Sequence, residues 1–233
     1  NWLKSHEIRM ASGTFGDMAE DIKPIVPGGS SDSAALDAVF EVMVRSGRSA
    51  PMVKTIMVPE AWSKATTDLP KPWADMYAYC NSIMEPWDGP AAVCFSDGML
   101  VGAVLDRNGL RPGRWTETTD GLVVIGSETG VLDFAPERIK RRGRLRPGRM
   151  FVVDTAQRRI IEDDEVKREL AALQPWQEWL DAGRVRLKDL PEREHIVHPI
   201  ASITRRQRTF GYTEEEVRIL LTPMGQTGAE PLG

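Results

Sequence analysis

Ala91-Ala92-Val93-Cys94-Phe95-Ser96-Asp97-Gly98-Met99-Leu100-Val101-Gly102-Ala103-Val104-Leu105 decides the fold class. Two apolar runs flank Ser96-Asp97-Gly98, and an Asp-Gly step between such runs matches the twist of a tight hairpin. Further strands are expected at Gly113 to Glu117 and Leu122 to Ile125, joined by Thr119-Asp120-Gly121. Sequential strands with tight turns predict an antiparallel sheet. Another hairpin is expected from Met150 to Val153 and Arg158 to Ile161, apolar enough to be covered on both faces. Upstream the period is helical. Leu36, Val39, Phe40, Met43 and Val44 recur at i, i+3, i+4, i+7, i+8, after a Pro27-Gly28-Gly29 breaker and before Gly47; a serine or Asp32 can cap the start. Trp73 to Met84 places Trp73, Met76, Tyr77, Cys80, Ile83 and Met84 on one face of a second helix. The β-branched run from Val53 to Val58 reads as a buried strand. Downstream, Asp163 to Leu173 is a charged helix. The last helix opens with a Thr213/Glu216 capping box, points Val217, Leu220 and Leu221 inward and ends near Pro223. Helices on either side of a sheet make the chain α+β.

Composition narrows the function classes. The 233 residues are 41% hydrophobic and 27% charged, which excludes disorder. A net charge of −4 and a pI near 5.6 argue against a general nucleic-acid binder. The longest uncharged apolar stretches, Gly89 to Ser96 and Gly98 to Leu105, fall well short of the ~20 residues that span a bilayer. Cys80 and Cys94 lie in apolar surroundings without metal-ligand spacing, so a disulfide scaffold or zinc site is not expected, and a reducing, cytoplasmic setting fits. Asn1-Trp2-Leu3-Lys4 lacks a signal-peptide pattern and reads as the middle of something longer. The arginine-rich run Arg138 to Arg149 reads as a solvated loop. His195 and His198 read as parts of an exposed linker, and His6 joins no metal-ligand pattern. No GxSxG, GxxxxGK[ST], HExxH or GxGxxG motif opens a helix. Asp32, in Ser30-Ser31-Asp32-Ser33, is the carboxylate that stands out: it suits a helix cap, and equally the recognition of an ammonium group by a pocket facing the helix start.

Several stretches, in order along nearly the whole chain, carry a family resemblance. They are Ser31-Asp32-Ser33 with Asp37, Gly47-Arg48-Ser49, Met57-Val58-Pro59-Glu60-Ala61-Trp62, and Met84-Glu85-Pro86-Trp87-Asp88-Gly89-Pro90. Asp106-Arg107-Asn108-Gly109-Leu110-Arg111-Pro112, Ser127-Glu128-Thr129-Gly130-Val131 and Pro147-Gly148-Arg149-Met150 follow, then Arg206-Gln207, Phe210-Gly211-Tyr212-Thr213 and Glu230-Pro231. Together they resemble the type-2 glutamine amidotransferase domain of the glutamate synthase large subunit. The Asp-x-x-Gly-x-Arg-Pro loop and the Ser-Glu pair are common to type-2 amidotransferases, whereas the Met-Val-Pro-Glu-Ala-Trp, Met-Glu-Pro-Trp-Asp-Gly-Pro and Phe-Gly-Tyr-Thr runs point to glutamate synthase.

The resemblance implies part of a four-layer αββα fold of the N-terminal-nucleophile type, followed by the start of a second domain. Residues 1–180 would be the amidotransferase domain without its N-terminal segment, 181–199 a connector, and 200–233 the start of the central domain. It implies glutamine hydrolysis by a cysteine at the mature N-terminus, with an Asn-Gly oxyanion pair and an arginine for the substrate carboxylate. Those groups map ahead of Asn1, so no catalytic residue is expected in this chain. The aspartate that binds the α-ammonium maps onto Asp32. Cys80 and Cys94 cannot replace the nucleophile, and Asn108-Gly109 belongs to the Arg-Pro loop instead of the oxyanion pair. FMN, a [3Fe-4S] cluster, 2-oxoglutarate, and a small electron-donating subunit or ferredoxin are implied for the full protein only, with no cofactor, metal, nucleic acid or membrane expected for these residues. The alternative is a non-catalytic amidotransferase-like scaffold or binding module.

Overall fold

Ser49 and Pro51 begin the element around which the rest is built. In the computed structural model, which describes residues 3, 7, 12–62, 69–193 and 196–231, the Ser49 hydroxyl accepts from the Met52 amide and Pro51 sits in the first turn of a helix, Ala50–Met57. Val53 to Val58 is therefore not the expected strand. All eight residues of this helix are buried, and a helix covered on every side has no polar face to reveal its period. We label Asp32–Arg45 α1, Ala50–Met57 α2 and Lys71–Ile83 α3. The amphipathic readings of α1 and α3 hold: Ala35, Leu36, Val39 and Met43 are buried on the first, Met76, Tyr77 and Cys80 on the second.

Seven strands follow: β1 Ala92–Ser96, β2 Leu100–Leu105, β3 Arg114–Thr118, β4 Val123–Gly126, β5 Ile139–Arg144, β6 Phe151–Asp154 and β7 Arg159–Ile161. Every pairing among them is antiparallel, but they form two sheets, β1-β2-β6-β7 and β4-β3-β5. The expected single run of strands is thus divided after β2. The chain builds the second sheet before β6 returns to pair with β2, Ala103 opposite Phe151.

Alternation along β2 and β6 shows why both faces of the first sheet are apolar. Val104 and Val152 join the helices in the main core, while Ala103, Leu105 and Phe151 face a second core with Leu145 and the partly buried Trp115, Val123 and Ile125 of the other sheet. Trp115 and Phe151 meet with ring centroids 5.0 Å apart. Helices, sheet and sheet are stacked in that order.

Residues 139–144 of the arginine-rich run form β5, which corrects the loop reading there, while residues 145–149 lie in the loop between β5 and β6. Glu117 on β3 lies 2.7 Å from Lys140 and also binds Arg141, so an opposed carboxylate offsets part of the run's charge. Gly143, opposite Trp115, leaves the space that the indole fills, since a Cβ there would lie 2.5 Å from the ring.

Two further helices, α4 Asp163–Ala172 and α5 Trp176–Gly183, complete the helical layer, with α3 packed against both. The chain divides into two compact units, Asn1–Arg184 and Val185–Gly233. The second holds α6 Ile200–Thr209, then α7 Glu214–Glu216, a π turn Val217–Leu221 and α8 Thr222–Thr227. The capping box is formed in full. The helical path does not end at Pro223: the π turn lengthens the hydrogen-bond register just before it, and Pro223 falls in the first turn of α8, where its missing N–H costs little. Val217, Leu220 and Leu221 are only half-buried.

Candidate functional site

Pro27 to Ser31 sets the start of α1. The Ser30 hydroxyl donates to the Pro27 carbonyl at 2.8 Å, and the Ser31 hydroxyl accepts from the Ala34 amide at 3.2 Å. Ser31 is therefore the cap, and Asp32, the first helical residue, is exposed. Of the two roles open to Asp32 in the sequence, the structure assigns the capping to its neighbour.

One residue further on, Ser33 enters the wall of a cavity of about 570 Å³, and Asp37, one turn later on the same face, joins it. Small-molecule sites fall within roughly 300–1,000 Å³. Trp87, Cys94, Arg111 and Ser127, from distant parts of the sequence, line the same cavity. Asp32 is not among the lining residues. Asp37, Arg111 and Ser127 lie in the quoted motifs; the four-residue spacing of Ser33 and Asp37 on a helix is a local signal for Asp37, whereas Arg111 and Ser127 join the wall only through the fold.

The loop carrying Arg111 is held by one carboxylate. Asp106, 1% exposed, accepts from the amides of Ala91 at 2.9 Å, Asn108 at 3.1 Å and Leu110 at 3.2 Å. Burial alone would raise its pKa, but the amides of Ala91, Leu110, Asn108 and Arg111 outweigh that and hold it below the usual carboxylate range. Asn108-Gly109 is thereby part of this turn. Trp87 is fixed from the other side, its amide donating to the Met57 carbonyl at 2.6 Å.

Neither cysteine is an activated nucleophile. Cys80 is buried in α3, and desolvation pushes its thiol up to about 12. Cys94 differs from expectation: it is exposed on β1 and lines the cavity, although partial screening by the wall still raises its pKa. A low-pKa thiolate would need the opposite shift.

Where α2, α4 and the loop before β6 meet lies a buried ionic cluster. Lys167 Nζ is 2.6 Å from Glu60 Oε2 and 2.5 Å from Asp163 Oδ2. The second contact is ionic and not a well-directed hydrogen bond. Asp163 Oδ1 accepts from the Met150 amide at 2.8 Å, and Lys54 Nζ donates to the Gly148 carbonyl. Burial lowers the Lys54 pKa to about 8 despite Asp163 and Glu60 nearby.

Among the described residues no group of three or more His, Cys, Asp or Glu side chains could hold a metal ion. The linker reading of His195 and His198 falls partly outside them, since His195 is not described, as His6 also is not; His198 is exposed, 3.2 Å from Arg206. No helix among the described residues is long and apolar enough to cross a membrane.

The family described as class-II glutamine amidotransferases matches residues 1–179. Over 100% of its length the chain is 44% identical to the glutamate synthase [NADPH] large chain of Azospirillum brasilense and 39% identical to that of Bacillus subtilis. It is 40% identical, over 99% of its length, to the chloroplastic ferredoxin-dependent glutamate synthase 2 of Arabidopsis thaliana. It spans only 16%, 15% and 14% of those three proteins.

Proposed function

The chain belongs to the class-II glutamine amidotransferases, and from that premise we propose that residues 1–180 form most of the glutamine-hydrolysing domain of a glutamate synthase, with Asp32 receiving the α-ammonium group of glutamine. The cavity of about 570 Å³, whose wall starts at Ser33, one residue beyond Asp32, supports this reading. The start of α1, the Trp87 segment, the Arg111-Pro112 loop and Ser127 are distant in sequence, meet there, and belong to the stretches that make the chain resemble the family. In this reading residues 181–199 are a connector, residues 200–233 begin the central domain, and the helices and two facing sheets are three layers of an αββα sandwich. The protein acts in the cytoplasm.

The chemistry is covalent amide hydrolysis. A cysteine thiolate ahead of Asn1 attacks the side-chain amide carbon, and backbone and side-chain donors of an Asn-Gly pair, also ahead of Asn1, stabilise the tetrahedral oxyanion. The C–N bond breaks as the nitrogen takes a proton and leaves as ammonia, and water then hydrolyses the thioester to glutamate. These 233 residues contribute binding. Asp32 supplies a negative charge for the α-ammonium at the helix start, Asp37 adds a second carboxylate one turn further along α1 in the cavity wall, and the Asp106-braced loop contributes Arg111 to that wall. The ammonia aminates 2-oxoglutarate elsewhere in the longer protein, which draws electrons from a small subunit or ferredoxin. FMN and the [3Fe-4S] cluster belong to that protein. A cluster held by converging thiolates does not fit one cysteine buried in α3 and another on β1, so no residue here is assigned to it.

Asp32→Asn in the intact synthase tests the reading. Loss of a charged hydrogen-bond partner is worth about 1.5–3 kcal/mol, so kcat/KM for glutamine should fall roughly 10- to 100-fold. Glutamate formation from free ammonia, which bypasses the site, should be nearly unchanged. Wild-type glutamine kinetics in this variant would overturn the assignment.

A further inference from the structure

Lys54 does work that packing does not require. Its side chain is 1% exposed in a helix whose other seven residues are also buried, a place where methionine would fit without desolvating an ammonium group. Lys167, likewise 1% exposed, already lies against both Glu60 and Asp163. With Lys54 the cluster holds two cations and two carboxylates. What Lys54 adds is its hydrogen bond to the carbonyl of Gly148, 94 residues along the chain.

Gly148 is a junction. Its φ of +62° and its approach to Glu60, where a Cβ would come within 2.2 Å of the Glu60 Cα, leave room for glycine only. Its amide donates to the carbonyls of Leu105 at 3.1 Å and Asp106 at 3.2 Å, and Pro147 beside it bridges to Leu105. Asp106 in turn holds the turn that places Arg111 in the cavity wall. Contact therefore runs without a gap from the Lys54 ammonium through Gly148 and Asp106 to the cavity.

We propose that Lys54 is a positioning residue for glutamine binding, fixing the Gly148 carbonyl and through it the Asp106–Pro112 loop. This rests on the reading of the cavity as the glutamine site. Lys54 never touches substrate; its effect is on how well the wall is pre-organised.

Replacing Lys54 alone would leave the cluster with a net negative charge, which itself destabilises. The test is therefore the charge-balanced pair Lys54→Met with Asp163→Asn in the intact synthase, because Asn at 163 retains an oxygen for the Met150 amide. Hydrogen exchange followed by mass spectrometry should be at least about tenfold faster than wild type in peptides covering 106–112 and 146–150, with the α3 peptides unchanged. The KM for glutamine should rise several-fold while the ammonia-fed rate stays at the wild-type value. Unchanged exchange in both loops overturns the proposal. Faster exchange with an unchanged glutamine KM also overturns it, and if Asp32→Asn still impairs glutamine use, the site reading survives alone. Wild-type glutamine kinetics in both variants would remove the cavity from glutamine and the positioning role with it.

Discussion

Ser31 and Asp32 are adjacent at one helix terminus, and the structure separates what they do. The Ser31 hydroxyl satisfies the Ala34 amide, so Ser31→Ala should lower stability by about 1 kcal/mol, the usual value of a lost cap, with glutamine kinetics nearly intact. Asp32→Asn should do the reverse. Its only expected structural loss is the favourable placement of a charge in the first helical turn, about 0.3–1 kcal/mol. Urea unfolding and glutamine kinetics on the two variants check this, and a larger loss of stability from Asp32→Asn than from Ser31→Ala would reverse the roles. The sequence could not choose between them, because serine and aspartate are about equally good caps and only backbone geometry distinguishes the cap from the residue after it.

At the scale of elements, the Asp106 turn is where a single charge organises most backbone. Its folded-state pKa lies below the usual carboxylate value, so its contribution to stability is complete above the unfolded pKa and lost as pH falls through the lower folded one. Asp106→Asn should therefore cost about 1.5–3 kcal/mol at pH 7, and the difference from wild type should shrink in acid. Thermal unfolding from pH 7 down to pH 2 measures it, and a difference independent of pH would count against the ionised turn. The elements legible in the sequence were those with a clear period, a turn signal or a dedicated terminus: α1, α3, α4, the β1–β2 hairpin, β3, β4, the β6–β7 hairpin and the capping box at Thr213. Those that were not had their local pattern overruled by partners. Helix α2 is enclosed on all sides, so Val53 and Ile56 resembled a strand, although Ser49 and Pro51 carried a start signal that could have been used. Strand β5 owes its conformation to pairing with β3, and no local pattern in a run of arginines announces that neighbour. The cavity was legible only in parts. Its motifs were visible in the chain, but their convergence depends on the division of strands between two sheets.

Across the whole chain, burial is uneven. The first unit holds both apolar cores, whereas no described residue of Val185–Gly233 is buried, and Leu187, Val197 and Ile200 are 86%, 87% and 85% exposed. Apolar surface of this kind favours association, and edge strands such as β4 and β5 add unpaired backbone groups. The chain expressed by itself should self-associate in a concentration-dependent way during sedimentation velocity; a monodisperse monomer with one cooperative melt would contradict this.

The excursion that builds the second sheet has a kinetic consequence. It leaves at Leu105 and returns at Pro147, and those two residues bridge, so the intervening chain is a closed ring resting on its own base. Its strands pair with near neighbours in sequence, β3 with β4 and then β5, whereas β2 and β6 must find each other across the whole ring. Closing a flexible loop costs entropy that grows with its length, and that cost falls once the second sheet has compacted the ring. The topology therefore favours one order of assembly, in which the expected sequence is collapse of the second sheet before closure of the β2–β6 pairing and the walls that depend on it.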